Sequence, residues 1–349
     1  MKSLKDISWQ VTEPEYREDP AFSYSTLAKF EREGFTSLPH LYDKIETPSL
    51  TFGSAVDALI TGGQEEFDSN FIVLDFPEVT DSLKMIAQKL FSLYKDSIRD
   101  IKTISDTELA RIGAECDFYN NPKYANYRVK LIKEGCQDYY SALYLAGDRK
   151  VLSSETKAKV DAAVRALKES PSTSFYFAKD NPFDGIERFY QLKFKATFGN
   201  NTYRNMADLL IVDHNNKEVT PVDLKTSGHP EYDFYKSFIT WHYDIQARLY
   251  WRIIRANMDK DDYFKDFKLT DYKFIVVNKD TLNPLVWSFA DTTKRGVLTY
   301  GKNKDTILRD PFDIANELAY YLKYTPNVPK GVSNNDVNEI TDWLNETQD

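Results

Sequence analysis

Cysteine is scarce in this chain of 349 residues and occurs only as Cys116 and Cys136. Two cysteines exclude a four-cysteine zinc or iron–sulfur site and give no disulfide framework. We therefore expect a protein of a reducing compartment, the cytoplasm, that carries no iron–sulfur cluster.

Long apolar runs are also missing, because nowhere do 18 apolar residues follow one another. The first ten residues, MKSLKDISWQ, lack the apolar core of a signal peptide. These two absences predict a soluble, unexported protein without a membrane partner.

Basic residues are not in excess, since 45 Lys and Arg face 54 Asp and Glu and the net charge is -9. This balance argues against a protein that coats nucleic acid through a basic surface. It does not exclude an enzyme that acts on nucleic acid, because a local basic groove or a bound metal changes the charge of a site. Hydrophobic residues make up 42% of the chain, which is ordinary for a globular domain with a buried core.

The stretch from Arg204 to Thr226 has the pattern of a β-hairpin. The runs 209–212 and 219–222 are apolar and rich in β-branched residues, and the polar segment 213–218 between them suits a tight turn. If Asn215 and Asn216 are central in that turn, cross-strand partners have numbers that sum to 431. Asp208 then faces Asp223.

Two directly opposed carboxylates repel each other unless a cation lies between them. Lys225 lies two residues beyond Asp223 and therefore on the same face of the strand. Two acidic side chains and an ammonium suit a site for a hard divalent ion, in which the lysine orients a nucleophile or neutralises charge. The alternative is a hairpin whose charged residues only face water.

Further strands extend this hairpin into a sheet. Residues 186–196 alternate strongly, and Gly199-Asn200-Asn201 turns that strand back toward Asp208. The run 272–277 reads as a buried strand that pairs with 285–289. The pattern predicts an α/β fold.

Helices account for most of the remaining chain. Cap-type hydroxyls at Ser23 and Ser25 open a short helix, residues 1–22 look irregular, and a second helix over 50–60 carries Asp57 on its polar edge or aimed at a site. A helix from about 241 aligns Tyr243, Gln246 and Tyr250 on one stripe, which is either a semi-polar edge or a surface that holds substrate.

The segment 79–170 is helical by pattern and shows no catalytic motif. Tyrosine and asparagine cluster at 118–127 and again at 138–144. Both clusters read as loop and packing material, with stacking on single-stranded bases as the alternative.

The order of these elements, with Asp208 on one strand and Asp223-X-Lys225 on the next, resembles the PD-(D/E)XK nuclease superfamily. The Gln246-xxx-Tyr250 helix is similar to the Gln-xxx-Tyr motif of one branch of it. That branch contains the RecB nuclease domain, CRISPR-associated nucleases with a four-cysteine iron–sulfur cluster, and RecE-type (exonuclease VIII-like) phage exonucleases. Ser23-Tyr-Ser25 and Gly53-Ser-Ala-Val-Asp57 resemble the N-terminal helices of the RecE-type group, the nearest of these because this chain lacks the cysteines.

The resemblance implies a restriction-endonuclease-like core, a mixed central sheet with an antiparallel meander flanked by helices, with a large helical insertion. We expect one nuclease domain over 1–349, with N-terminal core helices at 20–62, the insertion at 79–170, the catalytic sheet and Gln-xxx-Tyr helix at 185–290, and C-terminal helices at 310–347, including helices near 312–324 and 335–346.

The resemblance also implies the site residues. Mg²⁺ or Mn²⁺ would be held by Asp208, Asp223 and the carbonyl of Leu224, with Asp57 as a further ligand in place of the histidine usual in this branch. Asp208, Asp223, Lys225, Gln246 and Tyr250 would form the catalytic set. The residues expected to contact substrate are Arg204, Thr226, Tyr243 and Ser25.

The implied activity is metal-dependent exonuclease digestion of linear double-stranded DNA from a 3′ or 5′ end, for phage-type recombination or DNA processing in a bacterial or phage-infected cytoplasm. A single-strand annealing protein and a ring-shaped homo-oligomer are the implied partners. Two alternatives stay open: a structure-specific or nicking endonuclease on the same fold, and a DNA-binding protein that retains the fold without catalysis.

Overall fold

The computed structural model describes residues 2–43, 47–181, 183–290, 296–299 and 305–324. The helices in chain order are α1 (Glu13–Glu18), α2 (Tyr24–Glu33), α3 (Pro48–Thr61), α4 (Gly63–Asn70), α5 (Asp81–Tyr94), α6 (Asp106–Glu115), α7 (Ala125–Gly135), α8 (Gln137–Ala146), α9 (Ser154–Glu169), α10 (Phe234–Thr240), α11 (Tyr243–Met258) and α12 (Pro311–Tyr324). The strands are β1 (Phe71–Val73), β2 (Lys150–Leu152), β3 (Ile186–Phe198), β4 (Asn201–Asp213), β5 (Glu218–Ser227), β6 (Lys268–Leu269), β7 (Tyr272–Asn278), β8 (Pro284–Phe289), β9 (Gly296–Thr299) and β10 (Asp305–Leu308).

The described chain divides into two compact units, one formed by residues 62–161 and the other by the remainder. In the larger unit a mixed sheet has the order β3-β4-β5-β7-β8, with β6 also paired to β5. β3, β4 and β5 are an antiparallel meander, whereas β5 and β7 run parallel. The parallel step requires a crossover, which α10 and α11 provide.

The predicted α/β fold with a mixed sheet, an antiparallel meander and flanking helices is confirmed. The pairing β4–β5 has the predicted register, since Leu209 lies opposite Val222 and Asp213 opposite Glu218. The turn differs in detail because it spans four residues, and its left-handed residue is Lys217, with φ of 52°, rather than an asparagine. The Asp213 carboxylate accepts the N–H groups of Asn215 and Asn216, which fixes the turn.

The N-terminal segment was wrongly expected to be irregular. Thr12 caps α1, and the carboxylate of Glu15 accepts a hydrogen bond from the Thr12 N–H. Ser23 caps α2 as the sequence predicts. The expected helix at 335–346 lies outside the described residues, and none of the described helices is long and apolar enough to cross a bilayer.

The core of the larger unit joins the sheet to α2, α11 and α12. α11 is buried on nearly all sides, and even Arg248 is fully buried there. Its guanidinium donates to the carbonyl of Leu308 at 3.1 Å, which compensates its removal from water. This burial fixes the position of α11 relative to the sheet. The side chain of Gln246 on α11 therefore contacts Asp223 on β5.

The unit of residues 62–161 has its own core, built by α5, α6, α7 and α8 around Ile86, Leu90, Ile112 and Tyr140. Its two short strands, β1 and β2, pair in parallel. The predicted helical character of 79–170 is largely observed, with β2 as the exception that sequence periodicity does not reveal.

Candidate active site

The strands β4 and β5 part at the two predicted aspartates. Their antiparallel pairing reaches Leu209 and Val222, and beyond that point β5 pairs with β7, where Asp223 lies opposite Phe274. The carboxylate of Asp208 accepts the N–H of Leu224 at 2.9 Å, in place of a strand-to-strand bond. In extended backbone the N–H and C=O of one residue point to the same side. The Leu224 carbonyl is therefore directed toward the side where Asp208 lies.

Asp223 is almost completely buried, with 1% of its surface exposed. One carboxylate oxygen accepts a hydrogen bond from Nε2 of Gln246, and the other forms an ion pair with Nζ of Lys225. A buried carboxylate is tolerated only when its charge is paired in this way. α11 thus fixes one of the two acidic groups of the site.

Lys225 lies on the same face as Asp223, as the period of the strand requires. Its ammonium also lies 4.8 Å from the centre of the Tyr243 ring, a cation–π distance. Burial alone lowers the pKa of Lys225, but the charges of Asp223 and Asp208 outweigh burial and raise it above its ordinary value. The side chain is a fixed positive charge beside the two carboxylates.

Asp208 is half-buried, and its pKa is raised well above the ordinary value of an aspartate. Burial is the main cause, and the negative charges of Asp223 and Asp57 add to it. The Leu224 N–H and Lys225 act in the opposite direction. Three carboxyl groups thus interact strongly, and a cation among them would relieve their mutual repulsion.

α3 brings Asp57 to the site, because this helix packs unusually close to β5. A Cβ atom added to Gly53 would lie 2.9 Å from Oγ1 of Thr226, so that only glycine fits there without movement. Gly53 in the Gly53-Ser-Ala-Val-Asp57 run therefore allows α3 to approach the sheet closely.

Gln191 is a site residue that sequence reasoning missed. Its number and that of Asp208 continue the register of the β3–β4 pairing, yet its φ is 53°, a left-handed value inside a strand. Its amide donates to Oγ1 of Thr61 at 2.9 Å, and that hydroxyl donates to the carbonyl of Asp57 at 2.9 Å. Gln191 thus connects the strand opposite Asp208 to the helix that carries Asp57.

Both strands change face at this point. In β3, Phe189 packs in the same core as Leu192 and Phe194. Odd-numbered residues therefore face this core before Gln191, and even-numbered residues face it after Gln191. In β4 the residues that face this core change from odd-numbered to even-numbered between Ala207 and Leu210, the interval that contains Asp208. A strict alternation of two cannot continue through such a reversal. A break in the alternation at 191 is the signal that could have revealed it.

The other expected residues have definite surroundings. Tyr250 is buried and its ring packs 6.4 Å from that of Tyr272, and Tyr243 packs under the Lys225 ammonium. Gln246 is 4% exposed, so the expected semi-polar edge of α11 is not present: this stripe faces the interior. Ser25 is exposed, with its hydroxyl 2.9 Å from that of Ser23.

Arg204 lies four residues before Asp208 on β4 and is 9% exposed. Its Nε donates to the carbonyl of Ala21 at 3.1 Å, and its guanidinium lies 4.7 Å from the centre of the Tyr16 ring. Its Nη1 is buried without a hydrogen-bond partner. These contacts place the expected phosphate contact at the junction of the N-terminal segment and the sheet.

The donor set fits a hard divalent cation. Carboxylate and carbonyl oxygens are the ligands that Mg²⁺ uses, commonly one or two carboxylates with water and substrate phosphate. Asp208, Asp223 and the Leu224 carbonyl supply this number. Within the part of the chain that the structure describes, no three His, Cys, Asp or Glu side chains are grouped so that they could hold a metal ion, so Asp57 does not complete such a group with Asp208 and Asp223.

No family model matches the chain, and no curated protein matches it. Among solved structures it is similar to that of a candidate exonuclease from Eubacterium rectale, with 12% identity and a TM-score of 0.40 over 81% of this chain and 79% of the other.

Proposed function

We propose that this protein is a metal-dependent deoxyribonuclease that hydrolyses phosphodiester bonds of linear double-stranded DNA from an end. The observation that carries the proposal is the convergence of Asp208, Asp223 and Lys225 where β4 and β5 part, with Gln246 bonded to Asp223. A solvated hairpin does not account for it, because Asp223 and Gln246 are buried.

Mg²⁺ or Mn²⁺, held by Asp208, Asp223 and the Leu224 carbonyl with Asp57 beside them, would activate water and neutralise phosphate charge. Lys225, held as a cation, would orient the attacking water and stabilise the charge that develops on the phosphate oxygens. The Tyr243 ring and Asp223 limit the motion of this lysine, which favours one orientation of its ammonium.

Gln246 has a positioning role in this scheme, since its amide contacts Asp223 and its side chain is buried away from solvent. Tyr250 supports α11 from inside the core. The residues that remain to contact DNA are Thr226 near the end of β5, Ser25 on α2, and Arg204. The Arg204 Nη1 is buried without a hydrogen-bond partner, so its contact with a phosphate oxygen requires the side chain to move.

The finer assignment rests on the sequence motifs alone. Gln246-xxx-Tyr250 and Gly53-Ser-Ala-Val-Asp57 resemble the RecE-type phage exonucleases. On that resemblance we place the activity in phage-type recombination, where digestion from an end exposes one strand for a single-strand annealing protein, and where the enzyme works as a ring of identical subunits.

Comparison of DNA forms tests this function. Wild-type protein with Mg²⁺ should degrade a linear duplex and leave the same DNA intact as a covalently closed circle, because a circle offers no end. EDTA should stop the reaction. Conversion of the closed circle to nicked or linear products at a similar rate would instead identify an endonuclease, and Mn²⁺ binding without cleavage of any form would identify a non-catalytic binder.

A further inference from the structure

The unit of residues 62–161 exposes three tyrosines beside one another. The exposed fractions are 46% for Tyr119, 42% for Tyr124 and 50% for Tyr127. The Tyr119 ring lies 5.3 Å from that of Tyr127, at an interplanar angle of 89°, and 6.2 Å from that of Tyr124, at 73°. We call these residues the tyrosine patch. Edge-to-face contacts keep the three rings clustered, and about half of each side chain stays in water.

A buried arginine and two residues with positive φ fix the loop that carries this patch. Arg128 is buried, and its guanidinium donates to the carbonyl of Tyr119. Gly113 on α6 makes room for that arginine, because an added Cβ would lie 2.6 Å from the Arg128 Cδ. Asp117 and Tyr119 have φ values of 53° and 45°, which non-glycine residues adopt rarely. Backbone in this conformation persists only where the surrounding structure holds it, and the Arg128 hydrogen bond to Tyr119 does so here.

The chain segment that carries the patch is basic in sequence, although its Arg128 is buried. Residues 118–133 contain four basic residues and no acidic residue, within a chain of net charge -9. Lys123 is exposed, with its ammonium 4.8 Å from the centre of the Tyr124 ring. Lys130 lies 3.9 Å from Glu134 and Lys133 lies 2.5 Å from Asp106, so Lys123 is the lysine closest to the rings that these ion pairs do not engage. Acidic side chains flank the segment at Asp117 and Glu134.

We propose that the tyrosine patch binds single-stranded nucleic acid. Aromatic faces stack on unpaired bases whatever their sequence, and nearby lysines attract the phosphates. A duplex hides its base faces, so it offers no surface on which these rings can stack. The inference goes beyond the nuclease site and does not depend on it, because all the residues involved belong to the smaller unit.

Fluorescence anisotropy of a labelled oligothymidylate tests the proposal, with full-length protein in EDTA so that no strand is cut. Tyr127→Leu removes the flat ring and keeps apolar bulk, whereas Tyr127→Phe keeps the ring. We expect Tyr127→Leu to weaken binding roughly tenfold and Tyr127→Phe to bind like the wild type. Lys123→Gln should reduce the slope of log affinity against log salt by about one.

Equal affinities for the wild type and Tyr127→Leu would overturn the proposal, as would an equal loss in the Phe and Leu variants. An equal loss for a blunt duplex of the same length would also contradict recognition of single strands. Lys268→Met, at an exposed lysine of the larger unit outside the nuclease site, should bind the oligonucleotide like the wild type, and EDTA ensures that the assay reports binding without cleavage. Failure of the catalytic proposal is thus separable from failure of this one.

Discussion

Ionisation of the Asp208 carboxyl is unfavourable in the protein without bound metal. Burial, Asp223 and Asp57 all disfavour its negative charge. Asp208→Asn should therefore raise the melting temperature of the metal-free protein by about 2 °C or more, because the amide keeps an oxygen for the Leu224 N–H and removes the charge. Differential scanning calorimetry measures this. The added stability that Mn²⁺ gives the wild type should be absent in the variant.

The hairpin turn provides the control for this variant. Asp213 accepts two N–H groups and its pKa is lowered, so Asp213→Asn should lower the melting temperature. A lower melting temperature for Asp208→Asn, or unchanged stabilisation by Mn²⁺, would contradict the role given to Asp208.

Asp244 at the start of α11 makes the free energy of unfolding depend on pH, independently of the carboxylates of the candidate metal site. It is 1% exposed, and burial raises its pKa to about 6 although Arg248 acts against this shift. A raised carboxyl pKa means that the group favours folding at low pH, below its unfolded pKa near 3.8, and loses this contribution as the pH rises through 6. Asp244→Asn should therefore stabilise the protein at pH 8, by at most about 3 kcal/mol.

Urea unfolding of wild type and Asp244→Asn at several pH values checks this. We expect the difference between the two proteins to shrink as the pH falls from about 6 toward 4, where the wild-type carboxyl becomes neutral. A difference that stays constant over this range would show that the charge of Asp244 is not the cause.

Among the site residues, those that strand geometry governs were predictable. The register sum placed Asp208 beside Asp223, and the period of two placed Lys225 with them. The hydrogen bond from Gln246 to Asp223 could not be predicted from the sequence, because it depends on how α11 packs on the sheet. Sequence spacing gives the face of a helix but not the atom that this face meets.

At the scale of the elements, the reversal of face in β3 and β4 depends on Gln191. Its φ of 53° is strained for a β-branched residue and relaxed for glycine. Gln191→Val should lose about 1–3 kcal/mol of stability, and Gln191→Gly should stay within about 1 kcal/mol of the wild type. Denaturant unfolding measures both.

Lys193 supplies the matched control because it lies on the same strand outside the positive-φ residues. There the order should reverse, since valine suits extended backbone better than glycine. If valine is also the better residue at position 191, the left-handed backbone is not what sets the faces of these strands.

The approach of α3 to β5 is a second feature of this scale. Alanine is favoured over glycine in a helix by about 1 kcal/mol, yet Gly53→Ala should destabilise the protein by about 1–3 kcal/mol because its Cβ would meet Thr226. Gly53→Ala combined with Thr226→Ala should recover much of this loss. Ser54→Ala, at an exposed neighbour, is the control.

Thermal unfolding of these variants gives the comparison. A Gly53→Ala protein as stable as Ser54→Ala would show that α3 does not pack tightly on β5. The placement of Asp57 beside Asp208 would then lose its structural basis.

At the scale of the molecule, the sheet could be predicted because each strand shows its own pattern. The meander follows from alternation and turn residues, and β7 and β8 from apolar runs. The separate core of residues 62–161 could not be derived in the same way, because helical periodicity shows which face is buried but not which helices it packs against. The boundaries of the expected single nuclease domain remain a prediction.

The central claim is that the carboxylates and lysine where β4 and β5 part form a hydrolytic site for DNA. The most direct measurement is the release of nucleotides from a labelled linear duplex with Mg²⁺, for the wild type, Lys225→Met and Lys268→Met, each with a folded circular dichroism spectrum. Lys268 is an exposed lysine paired with Glu218 and serves as the control. We expect Lys225→Met to lose at least about 100-fold in rate, with Lys268→Met unaffected. A Lys225→Met protein as active as the wild type, or a wild type inert on linear DNA with both Mg²⁺ and Mn²⁺, would contradict the account.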